Sequence, residues 1–269
     1  MRRAIASTTT PHAPWRWAVF GGLLGALIAL LAGAPARWLG AGVRWATHER
    51  VLLQAERGTV WSGSASLTLT GGAGAQDRRT LPGRVAWQWG LVWPGLSLQL
   101  SADCCTPEPL QWRVLASTEG LTVQLDNQQS QWPMSLLAGL GAPWNTLDAE
   151  GRLQWQSNGL QLRWHQGRLQ WQGQTQLQVQ DLSSRLSTLR PMGSYQIVLQ
   201  GQAQGTPTPE LTLRTVQGPL QLQGQGQWQN QRLRFTGEAS AQEGSEAALT
   251  NLLNIIGRRD GSRSLLSLG

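Results

Sequence analysis

The sequence predicts a mainly β protein: a single N-terminal transmembrane helix, then an antiparallel β-meander with sandwich-like packing and one C-terminal amphipathic helix. Three observations predict it. Residues 17–36 form an uncharged apolar run, glutamine then alternates with leucine and tryptophan over long stretches, and Leu249, Leu252, Leu253 and Ile256 recur at helical spacing. A period of two marks a strand with one buried face, and i, i+3, i+4, i+7 marks a helix with one apolar stripe. The chain divides on this reading into a cytoplasmic segment 1–16, a transmembrane segment 17–36 and an exported β-rich domain 37–269.

The apolar run, WAVFGGLLGALIALLAGAPA, has about the ~20 residues that a membrane-crossing helix needs, and Trp15, Trp17 and Trp38 flank it as interfacial anchors. Arg2, Arg3 and Arg16 precede it while Arg37, Arg44 and Arg50 follow, so the positive-inside count is tied. A basic N-terminus ahead of a large β-rich domain favours export of the C-terminal part. Ala32-Gly33-Ala34 resembles a signal-peptidase site, but Pro35 follows directly and the run is long for a signal peptide, which favours a retained anchor. Gly21 and Gly25 form a small-xxx-small pair that admits close approach of another helix, although such pairs are common by chance in Ala/Gly-rich spans.

After the anchor, residues 64–70 alternate, with Leu67 and Leu69 toward a core behind the turn Trp61-Ser62-Gly63, and Trp87 and Trp89 share one strand face. Further on the apolar residues are Leu153 and Trp155, then Leu160, Leu162 and Trp164, then Leu169 and Trp171, then Leu177 and Val179. Ser157-Asn158-Gly159 and His165-Gln166-Gly167 between the first three read as hairpin turns. Gly218-Pro219 separates strands 211–216 and 220–228. Segments 134–140 and 182–189 read as helical turns, and residues 71–75 and 205–209 as loops. Ser245-Glu246 starts the final helix and Gly257 closes it as a C-cap.

Charge and composition exclude more than they assign. The net charge is +7, from 22 basic and 15 acidic residues, and every cation is an arginine, dispersed along the chain without a basic stripe. Tryptophan is abundant at 15, and those such as Trp87 and Trp89 stand at alternating strand positions, where core packing is the ordinary role. Nucleic acid is therefore not an expected partner.

Catalytic and metal constellations are also lacking. His12, His48 and His165 have no metal-ligand spacing, and the Gly224-Gln-Gly226 fragment stops short of a dinucleotide fingerprint. Asp103, Glu108, Glu119, Asp126, Asp148, Glu150 and Asp181 are scattered over turns, unlike a paired-carboxylate site. The reading is a non-enzyme without cofactor. The only cysteines, Cys104 and Cys105, are adjacent: loop neighbours by default, or a vicinal disulfide if the domain is exported.

Several segments go beyond generic β-sequence. They are ERGTVWSG at 56–63, LPGRVAWQW at 81–89, LRPMGSYQIVL at 189–199, LTLRTVQGPLQLQGQGQW at 211–228, LRFTGEASA at 233–241 and the helix ending in Gly257-Arg-Arg. In this order and spacing the chain resembles the type II secretion system protein N (GspN) family over essentially its whole length. Met192 stands where leucine is expected, a volume-conserving change. Cys104, Cys105 and the loop 71–75 lie outside the pattern.

The resemblance implies a single-pass protein of the bacterial inner membrane with a periplasmic β-domain, an accessory component of the machine that exports folded proteins across the outer membrane. It implies no catalytic residues. The implied partners are other inner-membrane and periplasmic components of that system and inner-membrane lipids; a homo-oligomer stays open. Two functional classes follow. One is a scaffold or adaptor that binds through an exposed strand edge or loop. The other is a β-groove, lined by tryptophan and leucine, that binds or carries lipid or another hydrophobic ligand; alternation serves a solid core and a greasy groove equally.

Overall fold

The computed structural model describes residues 15–118, 120–165, 168–201, 209–229 and 232–269. Two helices open it, α1 (Trp15–Ala32) and α2 (Ala36–Ala46). α1 comes from the apolar run but ends at Ala32, not Ala36. Pro35 has no N–H to continue a helix and disfavours helical backbone at Ala34. Instead the Val60 N–H donates to the Ala34 carbonyl and Pro35 bridges to Thr59, so Ala34 and Ala36 are buried against the β-domain. Among the described residues no helix is long and apolar enough to cross a membrane.

The strands follow in hairpins: β1 (Val51–Gly58), β2 (Ser62–Thr70), β3 (Arg78–Thr80), β4 (Val85–Val92), β5 (Gly95–Ala102), β6 (Leu110–Ser117), β7 (Gly120–Leu125) and β8 (Gln128–Pro133). A 3-10 helix, Met134–Leu140, and the short α3 (Trp144–Leu147) lead into β9 (Glu150–His165) and β10 (Arg168–Ser183). Then come β11 (Gly193–Gly201), β12 (Glu210–Gln217), β13 (Leu220–Gln229), β14 (Arg232–Ala241), α4 (Glu246–Ile256), β15 (Arg258–Asp260) and β16 (Arg263–Leu268).

These strands make one antiparallel sheet of sixteen, ordered β1-β2-β4-β5-β6-β7-β9-β10-β11-β12-β13-β14-β16-β15, with β3 on β2 and β8 on β9. The meander expected from the sequence is there. The sandwich is not: each hairpin pairs with the one before it, so among the described residues all strands join one sheet, and helices rather than strands cover the apolar face.

Of the two hairpin turns expected in the glutamine-rich region, the second falls where β9 meets β10, with Arg168 paired to His165, and the first differs. Ser157-Asn158-Gly159 is a bulge inside the 16-residue strand β9, where the register with β10 shifts between Gln172 and Gln174. Its cause lies on the opposite side of β9. β8 pairs with residues 152–157 and β7 with 160–164, and the β7–β8 link crosses the seam. Ser157 Oγ donates to the Asp126 carbonyl at 2.7 Å, and the Gly159 N–H to Asn127 Oδ1 at 2.7 Å, with Gly159 at φ +57°. Asn-Gly supplies the positive φ either way; the partner decides between turn and bulge. Of the second turn, Gln166 and Gly167 lie outside the described residues, as do His12, Glu119 and the loop residues 205–208.

Segment 182–189 is not helical. β10 runs to Ser183, and the hydroxyls of Ser184 and Ser187 accept from the N–H groups of Leu186 and Leu189, which competes with helical bonding. α4 begins after Ser245 as expected, but Gly257 is extended at φ −166° because β15 starts at once, so it is not a left-handed cap.

The core lies on one face of the sheet, in three clusters. α4 packs Leu249, Leu252 and Leu253 with Val179, Met192, Tyr195, Leu220 and Ala239. Leu136 of the 3-10 helix joins Leu81, Val85, Ala102 and Cys105. α2 sets Ala36 with Ala65 and Trp87. Gly40 of α2 faces the side chain of Glu56 on β1.

Candidate functional site

Directly paired residues of neighbouring strands share a sheet face. One row on the core face therefore runs Leu91, Leu96, Val114, Val123, Leu162 and Trp171. The row nearer the core is Trp89, Leu98, Trp112, Leu125 and Leu160, and the row beyond is Ala116, Leu121, Trp164 and Leu169. The opposite face of the same strands carries glutamine, serine, threonine and arginine, as in Gln99, Gln111, Gln124, Arg163 and Gln170.

These rows project beyond their neighbours. β2 last pairs with β4 at Ser62–Gln88, and β10 last pairs with β11 at Gly173–Gly201. Beyond those pairs β4, β5, β6, β7, β9 and β10 continue for five or six residues on the longest strands, about 15–20 Å at ~3.3 Å per residue. No helix covers this end among the described residues. The apolar side chains are buried at the core end and open at the tip: Trp87 is 5% exposed, Leu121 45%, Trp164 55%, Leu91 90% and Trp93 97%. Trp112 and Trp171 bury their indole nitrogens without a hydrogen-bond partner among the described residues.

α1 meets the sheet at the base of this projecting end. Trp61 Nε1 donates to the Leu31 carbonyl at 2.7 Å, and the Trp89 N–H donates to the Trp61 carbonyl at 2.7 Å. Along α1 the side chains of Phe20, Leu23, Leu27 and Ile28 are exposed. Gly21 and Gly25 lie four apart on α1 with open space where a Cβ would stand.

Cys104 and Cys105 occupy the β5–β6 turn and are joined by a disulfide, S–S 2.04 Å. Cys105 is buried, and its carbonyl accepts the Gln131 N–H at 2.7 Å, which docks the turn on β8. Beside them Gln129, Gln131, Gln154 and Gln180 line a polar cleft of 370 Å³. A second polar cleft, of 560 Å³, lies between Pro107 and Asn158.

The carboxylates singled out from the sequence do not converge. Asp126 pairs with Arg113 at 2.7 Å, Asp148 with Arg185 at 3.3 Å, Glu150 with Arg190 at 3.4 Å and Asp181 with Arg152 at 3.1 Å, while Asp103 caps the Arg84 N–H. These pairs are largely solvent-exposed, where an ion pair contributes about 0–1 kcal/mol. His48 sits in the turn after α2 at φ 51°. Among the described residues no three of His, Cys, Asp and Glu come together.

Two groups titrate away from their ordinary values. Burial pushes the Tyr195 phenol up, and its hydroxyl donates to the Leu220 carbonyl at 3.1 Å. Hydrogen bonds from Arg263 and then Gln223 hold the Glu238 carboxyl below the usual carboxylate range. A lowered folded value stabilises the fold above the unfolded pKa, and that contribution is lost as pH falls through the folded one. The stability difference between the parent and a Glu238→Gln variant is therefore expected to shrink on acidification, read from denaturant midpoints at several pH values.

Sequence alternation marked the apolar face, but not that its projecting end stays uncovered. Leu91, Trp93 and Leu121 carried no signal of their own, and Trp164 and Leu169 were legible only as strand residues. In comparison with known proteins, the model of the family described as type II secretion system (T2SS), protein N, matches residues 49–265. No curated protein and no solved structure matched.

Proposed function

The chain belongs to the type II secretion system protein N family, and from that premise we propose that it is a non-catalytic adaptor of the bacterial inner membrane, held by α1, whose β-domain contacts other secretion subunits in the periplasm. Membership implies a role in type II secretion and a place among components of the cell envelope that are generally non-catalytic. The observation that carries the adaptor reading is the family match over residues 49–265, nearly the whole of the sheet domain.

The anchor reading draws on α1. Its residues from Trp17 on come from the uncharged apolar run 17–36, which has about the ~20 residues expected of an anchor, and no acidic residue occurs before Glu49. Gly21 and Gly25 are the positions at which a partner helix would approach; unchanged association of a Gly21→Leu, Gly25→Leu chain in a membrane two-hybrid assay removes that contact.

Strand addition is a poor mode for the adaptor. β1, at one end of the sheet, is broken by a bulge between Gln54 and Arg57, with Ala55 at φ 51°; β15, at the other, is three residues long and charged. Bulges, shortness and charge are what protect an edge from pairing. The polar sheet face, with its glutamines and clefts, is the better contact surface. Photocrosslinking in intact cells from Gln99 and Gln111 should capture secretion subunits, or a second copy of the chain if it self-associates; capture of neither overturns the adaptor.

We propose as well that the Cys104–Cys105 bond is present in the exported protein. The intact mass, alkylated without reduction, should then lack two thiol hydrogens and carry no alkyl groups. Alkylation at both positions would show free thiols.

A further inference from the structure

We infer that the projecting apolar face is a docking surface for the acyl chains of membrane glycerophospholipids. This goes beyond the adaptor reading, and gives a place and a ligand class to the lipid-binding alternative. Only the source of the lipid, the bilayer holding α1, rests on the anchor reading.

Three observations select this occupant. First, the face is apolar on every strand it crosses, and the strands inside it are hydrogen-bonded on both sides, as β6 is to β5 and β7. A peptide laid across it finds no ladder to join, so its own N–H and C=O groups would be left unpaired at a cost. An acyl chain makes no such demand. Exposed contiguous apolar faces of this kind mark binding surfaces for lipid or protein, and the position of this one beside α1 decides between them.

Second, the face opens at the end where α1 joins. Trp61 links the last turn of α1 to the base of the projecting strands through the Leu31 carbonyl, so the anchor and the open face leave the domain at the same end. With α1 in a bilayer, this end of the sheet is the one nearest the lipid.

Third, the charged residues of the projecting strands themselves are cations. The parts of β4, β5, β6, β7, β9 and β10 beyond Gln88 contain Arg113, Arg163 and Arg168 and no Asp or Glu. Arg113 is paired with Asp126 at the base; Arg163 is exposed on the polar face near the tip. These arginines share the polar face of the projecting strands, where they suit an anionic head group, while the apolar rows of the other face receive the chains.

The test uses the full chain in vesicles of phosphatidylethanolamine and phosphatidylglycerol, with a photocrosslinking residue at Leu121, at Trp164 or at Gln170 on the polar face. Lipid-mass adducts are expected at Leu121 and Trp164, at least about tenfold above Gln170, the ratio that burial of one apolar side chain supports. Leu121→Arg, Trp164→Arg should abolish adducts from a third probe at Leu169. Both substituted side chains are about half exposed, and an unchanged denaturant midpoint shows that the variant still folds. Equal adducts at the three positions, none at all, or captured protein at Leu121 and Trp164 would each overturn the proposal. Alkaline extraction of the same vesicles reads the anchor separately, and the Gln99 and Gln111 crosslinks read the adaptor separately.

Discussion

Replacing Trp87 by alanine is expected to destabilise the domain by about 3–5 kcal/mol, the range for a buried tryptophan truncated in a core. Trp87 is 5% exposed and joins three elements. Its indole N–H donates to the carbonyls of Thr59 at 3.2 Å and Val60 at 3.0 Å, and so holds the β1–β2 turn from which Trp61 reaches α1. Its ring lies over Gly63, where an added Cβ would stand 2.7 Å from Cζ2, and it packs with Ala36 of α2 and Ala65 of β2. Truncation leaves a cavity and withdraws the donor from two carbonyls. Gly63→Ala attacks the same contact from the other side. Its Cβ would also meet the Arg57 carbonyl at 2.5 Å, and about 1–3 kcal/mol of overpacking cost is expected. Denaturant unfolding of the full chain in detergent measures both. A Trp87→Ala midpoint within error of the parent would show that this junction does not hold the domain together.

Leu249→Ala is expected to cost about 2–5 kcal/mol and to release α4 from the sheet. Leu249 is fully buried, and with Leu252 and Leu253 it is the face by which α4 covers Val179, Tyr195 and Ala239. The same helix bears an internal control. Ile255 is 65% exposed, so Ile255→Ala should stay within about 0.5 kcal/mol of the parent. A helix of 11 residues is marginal alone, so loss of the stripe should also appear as faster proteolysis at the loop before Glu246. Equal costs at the two positions would mean that α4 is not held by this stripe.

Much of the fold could be read from local pattern. Alternation located the strand face of Trp87, the pair around Gly218-Pro219 and the long glutamine-rich strands, and the i, i+3, i+4 spacing located α4. The family resemblance was carried by turn and strand motifs whose order survives in the sheet. Departures occurred where a partner remote in sequence chose between local options. Asn158-Gly159 suits a turn and a bulge alike, and the Asp126-Asn127 link made it a bulge. Pro35 ended α1 early because Val60 and Thr59 took up the groups it left unpaired. Ser184 and Ser187 turned a plausible helical segment into a side-chain-bonded loop. The open face left no local mark, because Leu121 and Leu125 alternate identically in one strand while one is 45% exposed and the other 5%.

The sequence by itself determined the class of the protein: mainly β, one apolar N-terminal helix, one amphipathic C-terminal helix, and the type II secretion system protein N family. Period, glycine and proline positions and motif order are local properties, and local sterics read them directly. Only the tertiary structure decided that the strands form one sheet and not two, and that helices cover its apolar face at one end while leaving the other open. Alternation specifies which side chains share a face. Whether a face becomes a core depends on what is laid over it, which is set by the lengths of the strands and the places where α2, the 3-10 helix and α4 land.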